Sequence, residues 1–155
     1  MYKKELEQIG NELIEEIRKR MSDKDLNSTG NASRSLNTKA TETKLEIKGE
    51  RYIGALDQGR KPGKFPPLQK IIDYVKREGI DFVINGKSIG IESTAYLMGK
   101  GMAENGSIIY RDRTKGIELE SIVDMGIQLI KKRITAQFLI DTKAKIIDLS
   151  KGAMA

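Results

Sequence analysis

The sequence contains no cysteine, no histidine and no tryptophan among its 155 residues. The missing cysteines exclude disulfides, thiolate metal sites and cysteine nucleophiles. The missing histidines exclude Ser-His-Asp and Cys-His catalytic sets and an ordinary zinc site, because histidine is the usual general base and metal ligand. Catalysis would have to use carboxylates alone, as in a Mg²⁺ nuclease or a glycosidase. No acidic pattern singles out such a site, so we expect no enzyme, no cofactor and no metal.

Aromatic residues and long apolar runs are also scarce. Only 5% of the residues are aromatic against 38% hydrophobic, which predicts an aliphatic core. No apolar run approaches the roughly 18–20 residues that span a bilayer, so we expect no membrane contact. The first residues alternate in charge and lack the apolar region of a signal peptide, which favours synthesis in the cytoplasm.

The net charge of +6 is unevenly distributed along the chain. Residues 1–50 hold ten basic and ten acidic side chains, whereas residues 51–80 hold seven basic and three acidic ones. Most of the excess positive charge therefore belongs to one loop and the segment that follows it.

That loop holds all three prolines, in the sequence GRKPGKFPP over residues 59–67. The Pro62-Gly63 pair predicts a turn. The Pro66-Pro67 pair predicts the start of a helix, because the missing N–H groups of proline would be unpaired in a first helical turn anyway.

The helix predicted after the loop has an apolar stripe and a terminator. Gly79 is a natural C-cap, and Phe65 can pack back on the helix as a hydrophobic staple. The stripe consists of Leu68, Ile71, Ile72 and Val75.

The segments before the loop alternate between helical and extended patterns. Residues 2–21 predict an amphipathic helix, and residues 22–34 predict a polar loop that we expect to be mobile. Residues 35–48 predict a strand or a hairpin with one buried face, and residues 51–56 a short further strand. The apolar positions of the first helix are Leu6, Ile9, Leu13, Ile17 and Met21.

The segments after the loop begin with a hairpin signal. Asn-Gly at 85–86 between apolar residues is typical of a tight β-turn. Residues 91–104 predict a helix, residues 107–110 a brief strand and residues 117–135 a further helix.

These segments together predict an α+β fold in a single domain over residues 1–155. It comprises the N-terminal amphipathic helix, a small, mostly antiparallel sheet and two to three further helices packed on that sheet. Residues 138–149 lack a helix breaker and fit either a continued helix or a strand. The C-terminal extension 138–155 is therefore left open.

Two glycine motifs have ordinary structural interpretations. Gly86-Lys87-Ser88 resembles the end of a phosphate loop, but that motif needs a glycine at position 81, where the chain has aspartate. The flanking residues also predict a hairpin. Gly99 and Gly101 indicate a site of close helix packing rather than a catalytic loop.

The basic side chains of the loop, Arg60, Lys61 and Lys64, fit two kinds of partner. They can bind nucleic-acid phosphates, or they can form a charged contact surface for an acidic protein. Nucleic-acid modules usually add stacking aromatics or a recognition helix, which this region does not clearly supply.

The order of segments resembles the tail-completion or neck protein family of tailed bacteriophages. The resemblance is carried by residues 52–59, by GRKPGKFPP at 59–67 and by the helix at 68–80. This chain has Tyr74 where such proteins often have tryptophan, and its hairpin at 85–86 looks like an insertion.

The resemblance implies a non-enzymatic α+β subunit that works as a homo-oligomeric ring between the portal or connector and the tail. It implies localisation in the virion after synthesis in the host bacterial cytoplasm, with portal, connector and tail proteins as partners and passing contact with packaged DNA. A basic nucleic-acid-binding module is the alternative function. The candidate partner-interface residues are Arg60, Lys61, Lys64, Phe65, Pro66 and Pro67.

Overall fold

The computed structural model describes residues 2–27 and 29–152, with side chains up to residue 145. The α+β class is confirmed, with helices predominating over two small hairpins. The elements are α1 Lys3–Asp23, α2 Asn31–Ser35, β1 Asn37–Ala40, β2 Leu45–Lys48, α3 Ile53–Gln58, α4 Leu68–Glu78, β3 Val83–Ile84, β4 Lys87–Ser88, α5 Ile91–Asn105, α6 Ile108–Arg111, a 3-10 turn Arg113–Lys115, and α7 Leu119–Gly152.

The chain forms two compact units. Unit 1 contains the residues up to Ile53 together with those from Ile117 onward, and unit 2 is the intervening segment Gly54–Gly116. The single domain expected over residues 1–155 remains a prediction, and the division into two compact units does not test it.

Helix α1 supplies most of the core of unit 1. All five apolar positions expected from its periodicity are buried, which confirms the amphipathic helix. Its buried face packs against the β1–β2 hairpin and against α7. The core residues on this helix are Leu6, Ile9, Leu13, Ile14, Ile17 and Met21.

The β1–β2 hairpin confirms the extended pattern at 35–48. The strands are antiparallel, with Asn37 opposite Lys48 and Ala40 opposite Leu45. The hairpin lies close to α1 at Gly10, where an added Cβ would collide with the methyl group of Thr38 and lie 2.8 Å from a Leu45 Cδ1 atom.

Helix α7 runs antiparallel to α1. Near the end of α1, one Nη of Arg20 donates to the carbonyl of Ile117 at 3.2 Å, to that of Glu118 at 3.0 Å and to Ser121 Oγ at 2.6 Å. Further along α7, Arg133 pairs with both carboxylate oxygens of Glu12 at 2.7 Å. This bidentate pair raises the pKa of Arg133 above its ordinary value, and it fixes α7 beside the first half of α1.

The structure also shows the conformation of residues 138–149, which the sequence left open between a helix and a strand. The helix predicted at 117–135 begins at Leu119 and continues through 138–149 to Gly152. Residues 153–155 of the predicted extension lie outside the described residues.

The polar segment 22–34 contains parts of two helices. Helix α1 continues to Asp23 and α2 begins at Asn31, so that a short connection remains between them. Ser28 lies outside the described residues, and the mobility of the segment stays a prediction.

The core of unit 2 lies between α4 and α5. Ile71 and Val75 of α4 pack with Ala95 of α5, and Ile72 is half-buried beside them. Leu68, the first residue of the expected stripe, is instead 39% exposed.

Two local signals in unit 2 are confirmed. Gly79 ends α4 in the left-handed conformation, with φ of 64°. Asn85 and Gly86 have φ of 52° and 78°, and they join β3 and β4 in an antiparallel hairpin.

Two predicted strands are wrong. The segment 51–56 contributes instead to α3, which begins as Ile53 N–H donates to the Glu50 carbonyl at 3.0 Å. The segment 107–110 enters α6, because Ser107 Oγ accepts from the Tyr110 N–H at 3.3 Å as an N-cap. Within residues 2–27 and 29–152 the strands form two separate two-stranded sheets, and neither segment belongs to one of them.

None of the helices in the described chain combines the length and apolar character that a bilayer crossing requires.

We expect Gly10→Ala to lower the free energy of unfolding by about 1–3 kcal/mol, because the new methyl group overpacks the contact with Thr38 and Leu45. Urea denaturation followed by circular dichroism measures this change. Asn11→Ala is the matched control, since Asn11 is the exposed neighbour on the same helix. Equal stability of the two variants would show that α1 does not approach the hairpin this closely.

Candidate partner interface

The loop at 59–67, which we call the basic corner, connects α3 to α4 within unit 2. It starts at Gly59, which has φ of 73° and whose N–H donates to the Ala55 carbonyl at 2.9 Å. It ends at Pro67, directly before the first residue of α4, as the Pro66-Pro67 pair predicts. The corner is thus bounded by two helix ends.

Ser107 attaches the corner to the start of α6. The Arg60 N–H donates to Ser107 Oγ at 2.9 Å, and the Ser107 N–H donates to the Arg60 carbonyl at 2.9 Å. The same hydroxyl oxygen caps α6 by accepting from Tyr110. One serine therefore orders both the helix and the first residue of the basic cluster.

Gly63 attaches the middle of the corner to the last turn of α5. Its N–H donates to the Ala103 carbonyl at 2.8 Å. The last four carbonyls of a helix have no partner within the helix, so this bond satisfies one of them. The backbone at the tip of the corner is consequently held in place.

Phe65 attaches the end of the corner to α5. Its ring centroid lies 5.7 Å from that of Tyr96 at an interplanar angle of 30°. A Cβ on Gly99 would collide with Phe65 Cζ and would lie 2.8 Å from its Cε1. The sequence predicts a staple onto α4, whereas these contacts hold the ring against α5. Gly99 is the close-packing site that the sequence indicates.

The three basic side chains of the corner have different environments. Arg60 is half-buried, and one Nη donates to the Lys64 carbonyl at 2.8 Å, which braces the corner across its width. Lys61 and Lys64 are exposed, and Pro66 is buried. The ammonium groups of the two lysines are therefore the charges most available to a carboxylate or a phosphate.

An apolar face continues from the corner through the Phe65–Tyr96 contact. Two open grooves, of about 530 and about 460 Å³, meet at Leu97 on α5. Tyr96 is 53% exposed and Leu97 is 39% exposed. We call this surface the apolar face of unit 2; its main members are Leu68, Tyr74, Phe82, Ile84, Ile89, Tyr96, Leu97, Met98, Met102 and Ile108.

Sequence reasoning did not find this face. The six candidate residues lie within one short loop of the chain, whereas the apolar face gathers side chains from α4, α5, α6 and the β3–β4 hairpin. The sequence holds one signal for an exposed apolar surface on this helix, the adjacent pair Tyr96-Leu97. Two neighbouring helix residues point about 100° apart, so these two large apolar side chains cannot both lie on one narrow buried stripe.

No protein-family model, no curated protein and no solved structure matches this chain. Function is therefore inferred from the residues and from their arrangement.

We expect Gly99→Ala to lower the free energy of unfolding of unit 2 by about 1–3 kcal/mol, because the methyl group displaces Phe65 and Ile71. Gly101→Ala is the matched control on the same helix, where the added Cβ meets no described atom within 4 Å apart from its chain neighbours and the adjacent backbone of α5. That change should raise stability by about 0.5–1 kcal/mol. Thermal unfolding of both variants measures the difference, and a stabilising Gly99→Ala would refute the anchoring of Phe65.

Proposed function

We propose that the chain is a non-catalytic structural subunit of a tailed-phage particle. In this role it forms a homo-oligomeric ring at the head–tail junction and joins the connector to the tail. The observation that carries the proposal is the continuity of the ordered basic corner with the apolar face of unit 2. The resemblance of residues 52–80 to neck and tail-completion proteins supports the assignment to this kind of particle.

The apolar face supports an assembly role because unit 2 leaves much of its hydrophobic surface uncovered. Large exposed apolar patches on soluble domains usually mark interaction sites. Protein interfaces combine an apolar centre with a polar or charged rim. Here Lys64 directly precedes Phe65 of the aromatic pair, and Lys61 belongs to the same loop. The exposed hydrophobic residues of unit 2 are Phe65, Leu68, Tyr74, Phe82, Val83, Ile84, Ile91, Tyr96, Leu97 and Ile108.

The order of the corner supports recognition of a defined partner surface. Its backbone is held by the hydrogen bonds of Arg60 with Ser107 and of the Gly63 N–H with the Ala103 carbonyl. The Phe65 ring is held where it packs against Gly99. A loop that is already ordered loses little conformational freedom on binding, so more of its contact energy contributes to affinity. This favours a built contact surface over a solvated basic loop.

The charge of unit 2 supports an acidic partner. Its sequence holds eleven basic and seven acidic residues, a net charge of +4. Two copies of the corner repel each other, so the contact favours a different, acidic surface on a neighbouring protein. In a ring that DNA traverses, the same charge attracts the phosphates of passing DNA.

A basic nucleic-acid-binding module is the second candidate, and the exposed Lys61 and Lys64 favour it. The two functions differ in their dependence on salt, because phosphate binding releases counterions and weakens steeply as salt rises. Fluorescence anisotropy with a labelled DNA duplex at low and at physiological salt separates them. Tight binding by the monomer at physiological salt would favour the module and count against the neck role.

We expect the double charge reversal Lys61→Glu/Lys64→Glu to preserve the fold and to reduce incorporation into particles at least tenfold. Both side chains are exposed, so their reversal leaves the core intact, while Arg60 is retained because it braces the corner. Incorporation is measured by quantifying the chain in purified particles, and folding by circular dichroism.

The matched control for this experiment is Lys4→Glu/Lys19→Glu, which makes the same change in charge at exposed positions of α1. Loss of incorporation in both variants would indicate a general charge effect instead of a corner-specific contact. Undiminished incorporation of the corner variant would refute its role.

Cryo-electron microscopy of intact particles tests the ring itself. We expect a cyclic ring of this chain between the connector and the tail. A chain that remains monomeric and is absent from purified particles would overturn the proposed function.

A further inference from the structure

The second half of α7 presents large apolar side chains to solvent. Phe138, Leu139 and Ile140 are 55%, 62% and 62% exposed. Successive helix residues diverge by about 100°, so these three side chains cover more than half of the helix circumference. We call this tripeptide the α7 knob. An exposed apolar surface of this width on a helix calls for a partner that covers it.

The position of the knob follows from the packing of unit 1. Arg133 reaches Glu12 at 2.7 Å and Glu5 at 3.6 Å, so α7 already lies beside the first half of α1 at residue 133. From residue 133 to Gly152, α7 extends for about 28 Å at 1.5 Å per residue. From Glu12 back to the start of α1 is only about 14 Å on the same scale. Helix α7 therefore outruns α1 only beyond about residue 142. The knob lies about 8–10 Å past residue 133, still beside the first turns of α1, and its three side chains are on the exposed side of α7.

Unit 1 also contains an apolar cleft of about 230 Å³. Engineered apolar cavities of about 150 Å³ accept a benzene ring, so this cleft has room for a phenyl group and part of an aliphatic side chain. Drug-sized ligands usually occupy about 300–1,000 Å³, which makes such a ligand a poorer fit. The principal apolar lining residues are Leu13, Ile17, Leu36, Ile47, Ile122 and Val123.

The cleft cannot be filled by the knob of its own chain. Ile122 and Phe138 belong to the same continuous helix, α7. The sixteen residues of rise between them correspond to about 24 Å along a straight helix. A knob that enters the cleft must therefore come from a second molecule.

The charges around the two features are complementary. Residues 131–145 carry five basic side chains and one acidic side chain, so the knob is flanked by positive charge. Glu50 lines the cleft, and Glu120 and Asp124 are exposed on α7 on either side of Val123. The one lysine in the lining, Lys48, lies 3.6 Å from the carboxylate of Glu46.

We propose that the α7 knob of one copy docks in the apolar cleft of a second copy. Because the knob and the cleft are different surfaces, the contact is head-to-tail, and its repetition generates a ring when the rotation closes. The inference rests on the proposed function in that it names the contact joining successive subunits of the ring.

Disulfide cross-linking tests the contact directly, because the natural chain has no cysteine. Leu139→Cys and Glu50→Cys introduce one thiol each at exposed positions of the knob and of the cleft. Under mild oxidation, we expect a mixture of the two single variants to give a heterodimer. Asn11→Cys replaces Leu139→Cys in the matched control and should give at least tenfold less heterodimer with Glu50→Cys.

The double variant Leu139→Cys/Glu50→Cys tests the head-to-tail geometry. We expect a ladder of covalent dimers, trimers and longer species on a non-reducing gel. A ladder that stops at a closed dimer would indicate reciprocal exchange and overturn the proposal, as would the absence of any cross-link.

Substitution of the knob separates this inference from the proposed function. Phe138→Ser/Leu139→Ser/Ile140→Ser should abolish association in mass photometry; Leu139→Gln is the milder variant if the triple change unfolds the helix. Rings that form in particles with either folded variant would refute the knob contact and leave the neck role standing. Cross-linked ladders from a chain that never enters tailed particles would refute the neck role and leave the contact standing.

Discussion

Close backbone approach at two helical glycines is the constraint on which both compact units depend. The chain has few aromatic residues, so neither unit can fill a wide core with large side chains. Unit 1 instead brings its hairpin against α1 at Gly10, and unit 2 brings the ring of Phe65 against α5 at Gly99. In both places the methyl group of an alanine would overfill the space, because packed interiors tolerate little extra volume.

The contact at Gly99 links the packing of unit 2 to its surface chemistry. Once the Phe65 ring lies on α5, Gly63 can reach the last turn of that helix and Arg60 can reach Ser107. These bonds use backbone groups, so the lysine side chains between them remain available for a partner. The same contact joins the charged corner to exposed apolar residues, which gives the surface both specificity and area.

The sequence predicts those features whose causes are local. The buried stripe of α1, the left-handed Gly79 and the hairpin at 85–86 each follow from a few adjacent residues. The strand predictions for segments 51–56 and 107–110 are wrong because a short apolar run fits a strand or a helical turn equally well. A strand also needs a neighbouring strand, and the sequence pattern of one segment does not reveal whether that neighbour exists. The basic cluster was recognised, but the bracing role of Arg60 depends on the Lys64 carbonyl and on how the loop folds, which no spacing rule encodes.

The two candidate contact surfaces differ in chemistry and belong to different units. The knob and cleft of unit 1 are mainly apolar with charged margins, so hydrophobic burial would supply most of the attraction in the proposed contact. The corner of unit 2 offers exposed ammonium groups, whose attraction to a partner is screened by salt within about 10 Å at 0.1 M. In the proposed assembly the knob and cleft supply the contacts between copies, and the corner is left for a protein of another kind. The proposed subunit joins both its own copies and a neighbouring component, and it needs two independent surfaces for these two contacts.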